Sequence, residues 1–340
     1  MTEAAGRALV IQAPGRVVFV ESAVPSPAHG EVVIDVHAVG VCGSDRELWC
    51  GTRPEGFVRY PIVPGHEWSG TVRAIGAGVD RALLGRAVVG EGFRNCQTCR
   101  ACRAGNATLC ESDYAETGFT EPGAMADTLT LPARLVHVLP EGSDLTAAAL
   151  LEPAACAAAA AAAAEVLPGD RVAVVGIGTL GALTLQLLAA RSPGTLTAVG
   201  LHEAHRARAE RCGATSYTTA AEPPDGGFDV VVETAGGPNS AATAVTLTRR
   251  GGRVVLAGIP AAGAVELSPT DLVVRNLSVR TVFGASPAAW SDAVRAFELG
   301  ILEPRPLITH QLPLHEFEAA MALLNSADPS VGKVLLTPRS

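Results

Sequence analysis

Lysine is almost missing from this 340-residue chain: Lys333 is the only one, and every other member of its 26 Lys and Arg residues is arginine. Heavy use of alanine, arginine and glycine beside it reads as codon bias, so composition assigns that lysine no function. Aromatic residues are scarce as well, at 4%, which leaves little for stacking on nucleic-acid bases. No basic block occurs, and the net charge is -8 with a pI near 5.5, so no nucleic-acid partner is expected. Charged residues at 18% against hydrophobic ones at 48% exclude a disordered chain. The N-terminal stretch MTEAAGRALVIQAPG lacks the basic-then-apolar pattern of an export signal, so a cytoplasmic location is expected. Residues 146–167 are the one stretch that mimics a membrane span, but Glu152, Pro153 and Glu165 interrupt it and its bulk is the alanine run 157–164. Alanine forms helices well and enters lipid poorly, so a buried or closely packed helix is expected there and no membrane partner.

What is present begins with cysteine. Four of the eight, Cys96, Cys99, Cys102 and Cys110, lie in CQTCRACRAGNATLC with the spacing C-x2-C-x2-C-x7-C. Four thiolates on one short loop satisfy a tetrahedral zinc and leave no position open for chemistry, so the site is expected to be structural. A pair of disulfides is the alternative, but two-residue gaps suit one shared ion better, and a reducing compartment favours metal. Cys50, Cys156 and Cys212 have no ligand spacing and read as small buried or half-buried residues.

The length suits about two domains. Up to about residue 150 the chain reads as short strands punctuated by Gly and Pro, such as EVVIDVHAVGV, SGTVRAIGAGV and GRAVVG. After the alanine run, strands alternate with helices: DRVAVVGIG, the helix TLGALTLQLLAARS, GTLTAVGL, the helix EAHRARAERCGA, then FDVVVETAGG and GGRVVLAGIP. That alternation predicts an α/β doubly wound parallel sheet with helices on both faces. The tail from about residue 285 returns to mixed elements, including the amphipathic PAAWSDAVRAFELG.

Two chemical signatures fall on this frame. GIGTLG places Gly176, Gly178 and Gly181 in G-x-G-x-x-G spacing between a strand and a helix, a dinucleotide fingerprint in which Thr179 and Leu180 open the phosphate-facing turn. The acid that normally ends the next strand and holds the ribose hydroxyls is replaced by Gly200, with His202, His205 and Arg206 following. A 2′-phosphate meets no carboxylate at Gly200, which favours NADP(H) over NAD(H), although Glu203 is near enough to take the ribose role. The second signature is dispersed: Cys42 in GVCGSD, His66 and Glu67 in VPGHEWSG, and Glu152 in LLEPAAC are good zinc ligands. Their spacing alone does not bring them together.

GVCGSD, GHEWSG, the four-cysteine loop, LEPAAC, GIGTLG and GGRVVLAGIP resemble, in order and across essentially the whole chain, the zinc-containing medium-chain dehydrogenase/reductase superfamily. Glu152, where the ethanol-type branch has cysteine, resembles the polyol (sorbitol-type) branch. CGSDRE further resembles archaeal-type glucose dehydrogenases, and VPGHEWSG with GFTEPGAMAD resembles 2-deoxy-scyllo-inosamine dehydrogenases. The resemblance implies a GroES-like catalytic domain over residues 1–153, a Rossmann domain over 154–284 and a return to the catalytic domain over 285–340. It implies one structural and one catalytic zinc, the latter on Cys42, His66 and either Glu67 or Glu152, with the other carboxylate acting through water or by exchange. It implies hydride transfer between NAD(P) and a secondary alcohol or ketone of a polyol, sugar or (amino)cyclitol, with the metal polarising the substrate oxygen. Ser44 matches the hydroxyl that takes the alcohol proton. Glu47 stands where the family's relay histidine usually stands. Trp49, Phe57, Phe119 and Trp290 are candidates to line the substrate site, and His310 and Lys333 match tail positions with packing or ion-pair roles. NLSVRTVFG resembles a segment that pairs across the family's dimer, so a homodimer or homotetramer is expected. Ketone reduction in a biosynthetic direction and aldose oxidation are the enzymatic alternatives; a nucleotide-sensing protein would instead bind cofactor without turnover.

Overall fold

The computed structural model describes residues 5–222, 226–260, 266–326 and 328–338. Its contacts divide the chain into Met1–Glu152 with Pro304–Ser340, and Pro153–Glu303.

In chain order, β1 (Ala5–Ala13) and β2 (Arg16–Ala23) form an antiparallel hairpin. β3 (Glu31–Val41) follows, then α1 (Gly43–Cys50), β4 (Glu67–Ile75), β5 (Ala87–Gly90), α2 (Arg100–Arg103), β6 (Thr128–Pro132), β7 (Val136–Val138) and α3 (Leu145–Ala148). The alanine-rich α4 (Leu151–Ala164) carries the boundary between the units. Ala154, Ala155, Ala157, Ala160 and Ala161 in it are buried. No helix among the described residues is long and apolar enough to cross a membrane.

The second unit is a regular alternation. It runs β8 (Arg171–Val175), α5 (Thr179–Ala189), β9 (Thr195–Gly200), α6 (Arg206–Arg211), β10 (Ser216–Thr219), β11 (Phe228–Glu233), α7 (Ser240–Leu247), β12 (Thr248–Leu256), α8 (Pro269–Val274), β13 (Ser278–Thr281) and α9 (Pro287–Glu298). All six strands pair in parallel, in the order β10-β9-β8-β11-β12-β13. The order reverses between β8 and β11, which is where an open sheet of this kind takes its ligand. Val172, Ala173, Val174, Val230, Val231 and Val232 are fully buried, as continuous apolar strands covered on both faces must be.

The last elements, β14 (Ile308–Pro313), α10 (Phe317–Leu324) and β15 (Lys333–Thr337), return to the first unit. Its seven-stranded sheet runs β14-β15-β3-β4-β5-β7, with β6 also pairing β3. The return begins later than the residue 285 expected from sequence. Ser286 caps α9, whose Ala289, Trp290, Ala293, Val294 and Ala296 are buried, and the helix belongs to the second unit. The tail that does join the first unit contributes Leu314, Phe317, Ala320, Met321, Val334 and Leu336 to one hydrophobic core with Ile34, Val36 and Trp68.

β3 holds this core together because it pairs with β4, β6 and β15. Ile34 on it is fully buried. Ile34→Ala is expected to cost about 2–5 kcal/mol through lost transfer energy and the cavity left behind, read as a lowered denaturation midpoint.

Candidate active site

The metal ligands expected from sequence meet in the first unit. Cys42 precedes α1, and Asp45, at the third helical position, accepts a hydrogen bond from the Cys42 N–H at 3.0 Å, the acidic half of a capping box. His66 lies just before β4 and Glu67 opens it, with Glu67 paired opposite Gly40 of β3. One ligand atom each from Cys42, His66 and Glu67 lies within 4.8 Å of the others. The Cys42 Sγ to His66 Nε2 separation is 3.4 Å, close to the roughly 3.5 Å that a sulfur and an imidazole nitrogen span on one tetrahedral zinc. The other ring nitrogen, Nδ1, faces the buried Asp45 carboxylate at 3.7 Å, the outer partner that orients a ligating imidazole.

Electrostatics fit the same reading. Burial pushes the Cys42 thiol up. Burial works against the His66 imidazolium, but Cys42 and Asp45 beside it raise its pKa well above the usual value. A cation that binds a cysteine and an imidazole takes the thiolate and the neutral ring, so its binding releases whatever protons the pair holds. Lys333 forms an ion pair with Glu67 Oε2, both side chains being buried. Burial opposes the ammonium there, while Glu67, Cys42 and Asp45 raise its pKa and keep it charged. Glu152 sits in the first turn of α4, outside the mutual 4.8 Å group. Desolvation pushes its carboxyl up to about 7; nearby Glu67 and Glu116 act in the same direction, His66 and Lys333 against.

Cys96, Cys99, Cys102 and Cys110 form a second group within 4.8 Å, all four as free thiols. The Cys96 and Cys102 sulfurs are 4.0 Å apart, twice a disulfide length and near the roughly 3.8 Å separating thiolates on a tetrahedral zinc. Backbone N–H groups of Cys96, Cys99 and Cys102 point at the sulfurs of Cys110, Cys96 and Cys99. The Cys96 thiol is pulled down to about 5, chiefly by a hydrogen bond from the Thr98 side chain, whereas desolvation pushes Cys102 up to about 12.

In the second unit Gly176 has φ +99° and opens the turn after β8, and Gly178 caps α5. A Cβ on Gly181 would fall 1.8 Å from the Gly176 carbonyl oxygen, so the fingerprint spacing is a packing requirement here. Gly200 closes β9, and a Cβ on it would meet the Tyr217 hydroxyl at 2.2 Å. That hydroxyl donates to the His202 carbonyl oxygen at 2.5 Å. Arg206 is held by both oxygens of Glu203 and stacks on Tyr217, 5.1 Å from the ring centroid. At the C-terminal ends of β11 to β13 a cavity of about 310 Å³ is lined by Glu233, Gly236, Gly258, Ile259 and Thr281. Glu233 locks its rim by accepting from the Ala235 and Gly236 N–H groups at 2.6 and 2.8 Å.

Residues 28–141 match the alcohol dehydrogenase GroES-like domain family, and residues 176–298 the zinc-binding dehydrogenase family. An uncharacterized zinc-type alcohol dehydrogenase-like protein of Escherichia coli is 30% identical over 323 residues, covering 88% of this chain and 90% of that protein. Sorbitol dehydrogenase of Bacillus subtilis is 28% identical over 309 residues, covering 88% and 87%. The chain belongs to the zinc-type alcohol dehydrogenase family. It is a medium-chain dehydrogenase/reductase of the polyol branch. Among solved structures, a zinc-binding dehydrogenase from Sinorhizobium meliloti bound to NADP superposes with a TM-score of 0.90 at 27% identity, covering 98% of this chain and 100% of that one. An Escherichia coli alcohol dehydrogenase complexed with NADH gives 0.90 at 25% identity, covering 98% and 99%.

The remaining expected site residues of the dehydrogenase have the following surroundings. Ser44 and Glu47 lie on α1, half-buried, with Glu47 4.0 Å from Arg53. Phe119 packs 4.7 Å from His66, but Trp49 meets Phe317 edge-on at 5.6 Å and Trp290 is buried in α9. Cys50 is exposed, not buried. Sequence reasoning missed Asp45, although it sits inside GVCGSD, and it missed Tyr217, which carries no motif. It also missed a buried wall behind Phe119. There Arg53 stacks 3.6 Å over the Phe119 ring and pairs with Glu116 at 3.1 Å, and Tyr114 donates to the same carboxylate.

Because Asp45 both fixes Cys42 and faces His66, Asp45→Asn is expected to weaken zinc binding at the Cys42 site about 10–100-fold while leaving the four-cysteine site loaded. Zinc content after graded chelator treatment checks this; loss of both metals together would contradict it.

Proposed function

We propose that this dehydrogenase transfers a hydride between NADP(H) and a secondary alcohol or ketone of a polyol, sugar or (amino)cyclitol. The observation that carries the reading is the convergence of Cys42, His66 and Glu67 within 4.8 Å beside an orienting carboxylate. Those three residues would hold the catalytic zinc, and Cys96, Cys99, Cys102 and Cys110 a structural one. When bound, the catalytic zinc supplies Lewis acidity at the substrate oxygen. A bound nicotinamide would supply the hydride chemistry. Asp45 faces the His66 ring, Phe119 walls another side of it, and Ser44 accepts the substrate's hydroxyl proton at Oγ as it releases its own towards Glu47. Glu47, half-exposed on the following turn of α1, hands that proton to water. Glu152 stands behind the zinc ligands as the second carboxylate.

For the cofactor, Tyr217 leaves Gly200 no room for a side chain, so no acid ends β9 to repel a 2′-phosphate. Arg206, now paired with Glu203, is the cation this reading assigns to that phosphate. A cytoplasmic homo-oligomer fits this reading, with β13 at the sheet edge as its pairing strand.

Reduced-nicotinamide formation over a panel of polyols, sugars, aminocyclitols and simple secondary alcohols, with each cofactor, tests the assignment. Turnover is expected for a polyhydroxylated class and with NADP+ preferred; turnover confined to simple alcohols would overturn the substrate class. Arg206→Ala is expected to lower kcat/KM for NADP+ about tenfold or more, with NAD+ changed by less than about threefold, as loss of a charge-assisted phosphate contact predicts. Glu203→Gln, which frees Arg206, is expected to move the preference the other way. Equal effects on both cofactors would remove Arg206 from the phosphate site.

A further inference from the structure

The only lysine of the chain is buried beside the metal ligands. Lys333 opens β15, which runs antiparallel to β3 with Val334 opposite Val41 and Leu335 opposite Gly40. Gly40 is also the register partner of Glu67 on β4. One glycine thus lies between the cation's strand and the anion's strand. A Cβ at Gly40 would sit 2.1 Å from Glu67 Oε2 and 2.8 Å from Lys333 Cε. The space that a side chain would occupy is filled by the ion pair itself.

A closed tetrahedral zinc has four protein ligands, while a catalytic one keeps a position open. Cys42, His66, Glu67 and the nearby Glu152 together offer more donor oxygens than an open site tolerates. Some contact must ration them. We propose that Lys333 is a positioning residue that acts through Glu67: by holding Oε2 it leaves the carboxylate a single oxygen for zinc and keeps a coordination position open. This rests on the Cys42–His66–Glu67 zinc site proposed above.

The sign of the predicted effect separates this role from a merely structural one. A buried ion pair that only supports the fold would, when broken, loosen the site and weaken zinc binding. Freeing Glu67 does the reverse. Both oxygens become available and a cation leaves the neighbourhood of the zinc, so the metal binds more tightly while the reaction slows. The experiment is the zinc dissociation constant of the Cys42 site in the full-length protein, by competition with a chromogenic chelator, alongside kcat and KM. Lys333→Met is expected to lower that dissociation constant about tenfold and kcat about tenfold or more, an order of magnitude consistent with outer-shell changes at metal sites. Lys333→Gln keeps a neutral donor for Glu67, so it carries the test if Lys333→Met, which strips that carboxylate of its partner, is recovered poorly folded; it is expected to move both quantities the same way by about threefold. In a Glu67→Gln background the Lys333→Met change is expected to shift zinc affinity by less than about threefold, because the route through Glu67 is gone.

Weaker or unchanged zinc binding in Lys333→Met and Lys333→Gln overturns the proposal, as does an equal effect with and without Glu67. Wild-type protein that holds only the four-cysteine zinc would overturn the catalytic zinc site instead, so the two failures are distinguishable.

Discussion

Charge compensation inside a β-rich core is the constraint on which the first unit depends. Cys42, Asp45, Glu67 and Glu152 converge on one buried region, and an uncompensated buried charge costs several kcal/mol. The fold answers with His66, with Lys333 and with the donor geometry for a divalent cation. Each answer has a structural consequence. His66 needs Asp45 at its back, so the chain after Cys42 must turn at once into a helix whose third residue reaches back. Lys333 needs a strand beside β3, so the last residues of the chain must return to the first unit. The packing of Leu314, Phe317, Val334 and Leu336 into the same core as Ile34 and Trp68 is the apolar side of that return.

A comparable problem recurs behind Phe119. Burial raises the Glu116 carboxyl pKa, and Arg53, itself almost covered, supplies the opposing charge together with the Tyr114 hydroxyl. Arg53 stacks on the ring that in turn packs against His66, so this pair braces one side of the Cys42–His66–Glu67 cluster. The inner polar groups therefore form two supported sides around Cys42 and His66, one built on lysine and one on arginine.

Much of this was legible in sequence where the signal is local. The strand–glycine–helix passage at GIGTLG, the alternation behind the parallel sheet and the four-cysteine spacing each encode their structure within a few residues. β3 coincides with EVVIDVHAVGV, and α5 begins where the fingerprint places it. The tail boundary was misplaced because the amphipathic pattern of α9 shows that one face is buried but does not name what covers it. Tyr217 was invisible for a related reason. Gly200 reads as the absence of an acid, and only the register of β9 with β10 reveals that a tyrosine hydroxyl occupies the space. Asp45 was in plain view inside a recognised motif, yet its role requires knowing that His66 arrives from another strand.

Lys333 shows where composition is silent and position speaks: the ion-pair role that the resemblance implies is one it takes, with Glu67. Codon bias accounts for arginine in place of lysine across the surface, but it does not account for the single exception. Arginine is this chain's usual partner for half-buried and buried carboxylates, as at Arg53 with Glu116 and Arg253 with Asp170. A guanidinium is a broad, planar fork suited to gripping both oxygens of a carboxylate, whereas an ammonium is a compact point charge. Beside Gly40 the lysine stem and the Glu67 carboxylate fill the room that a side chain would take, and the useful act is to hold one oxygen while leaving the other. Lysine meets both demands. In a sequence that has all but discarded the residue, its one survival marks the place where the shape of the cation matters.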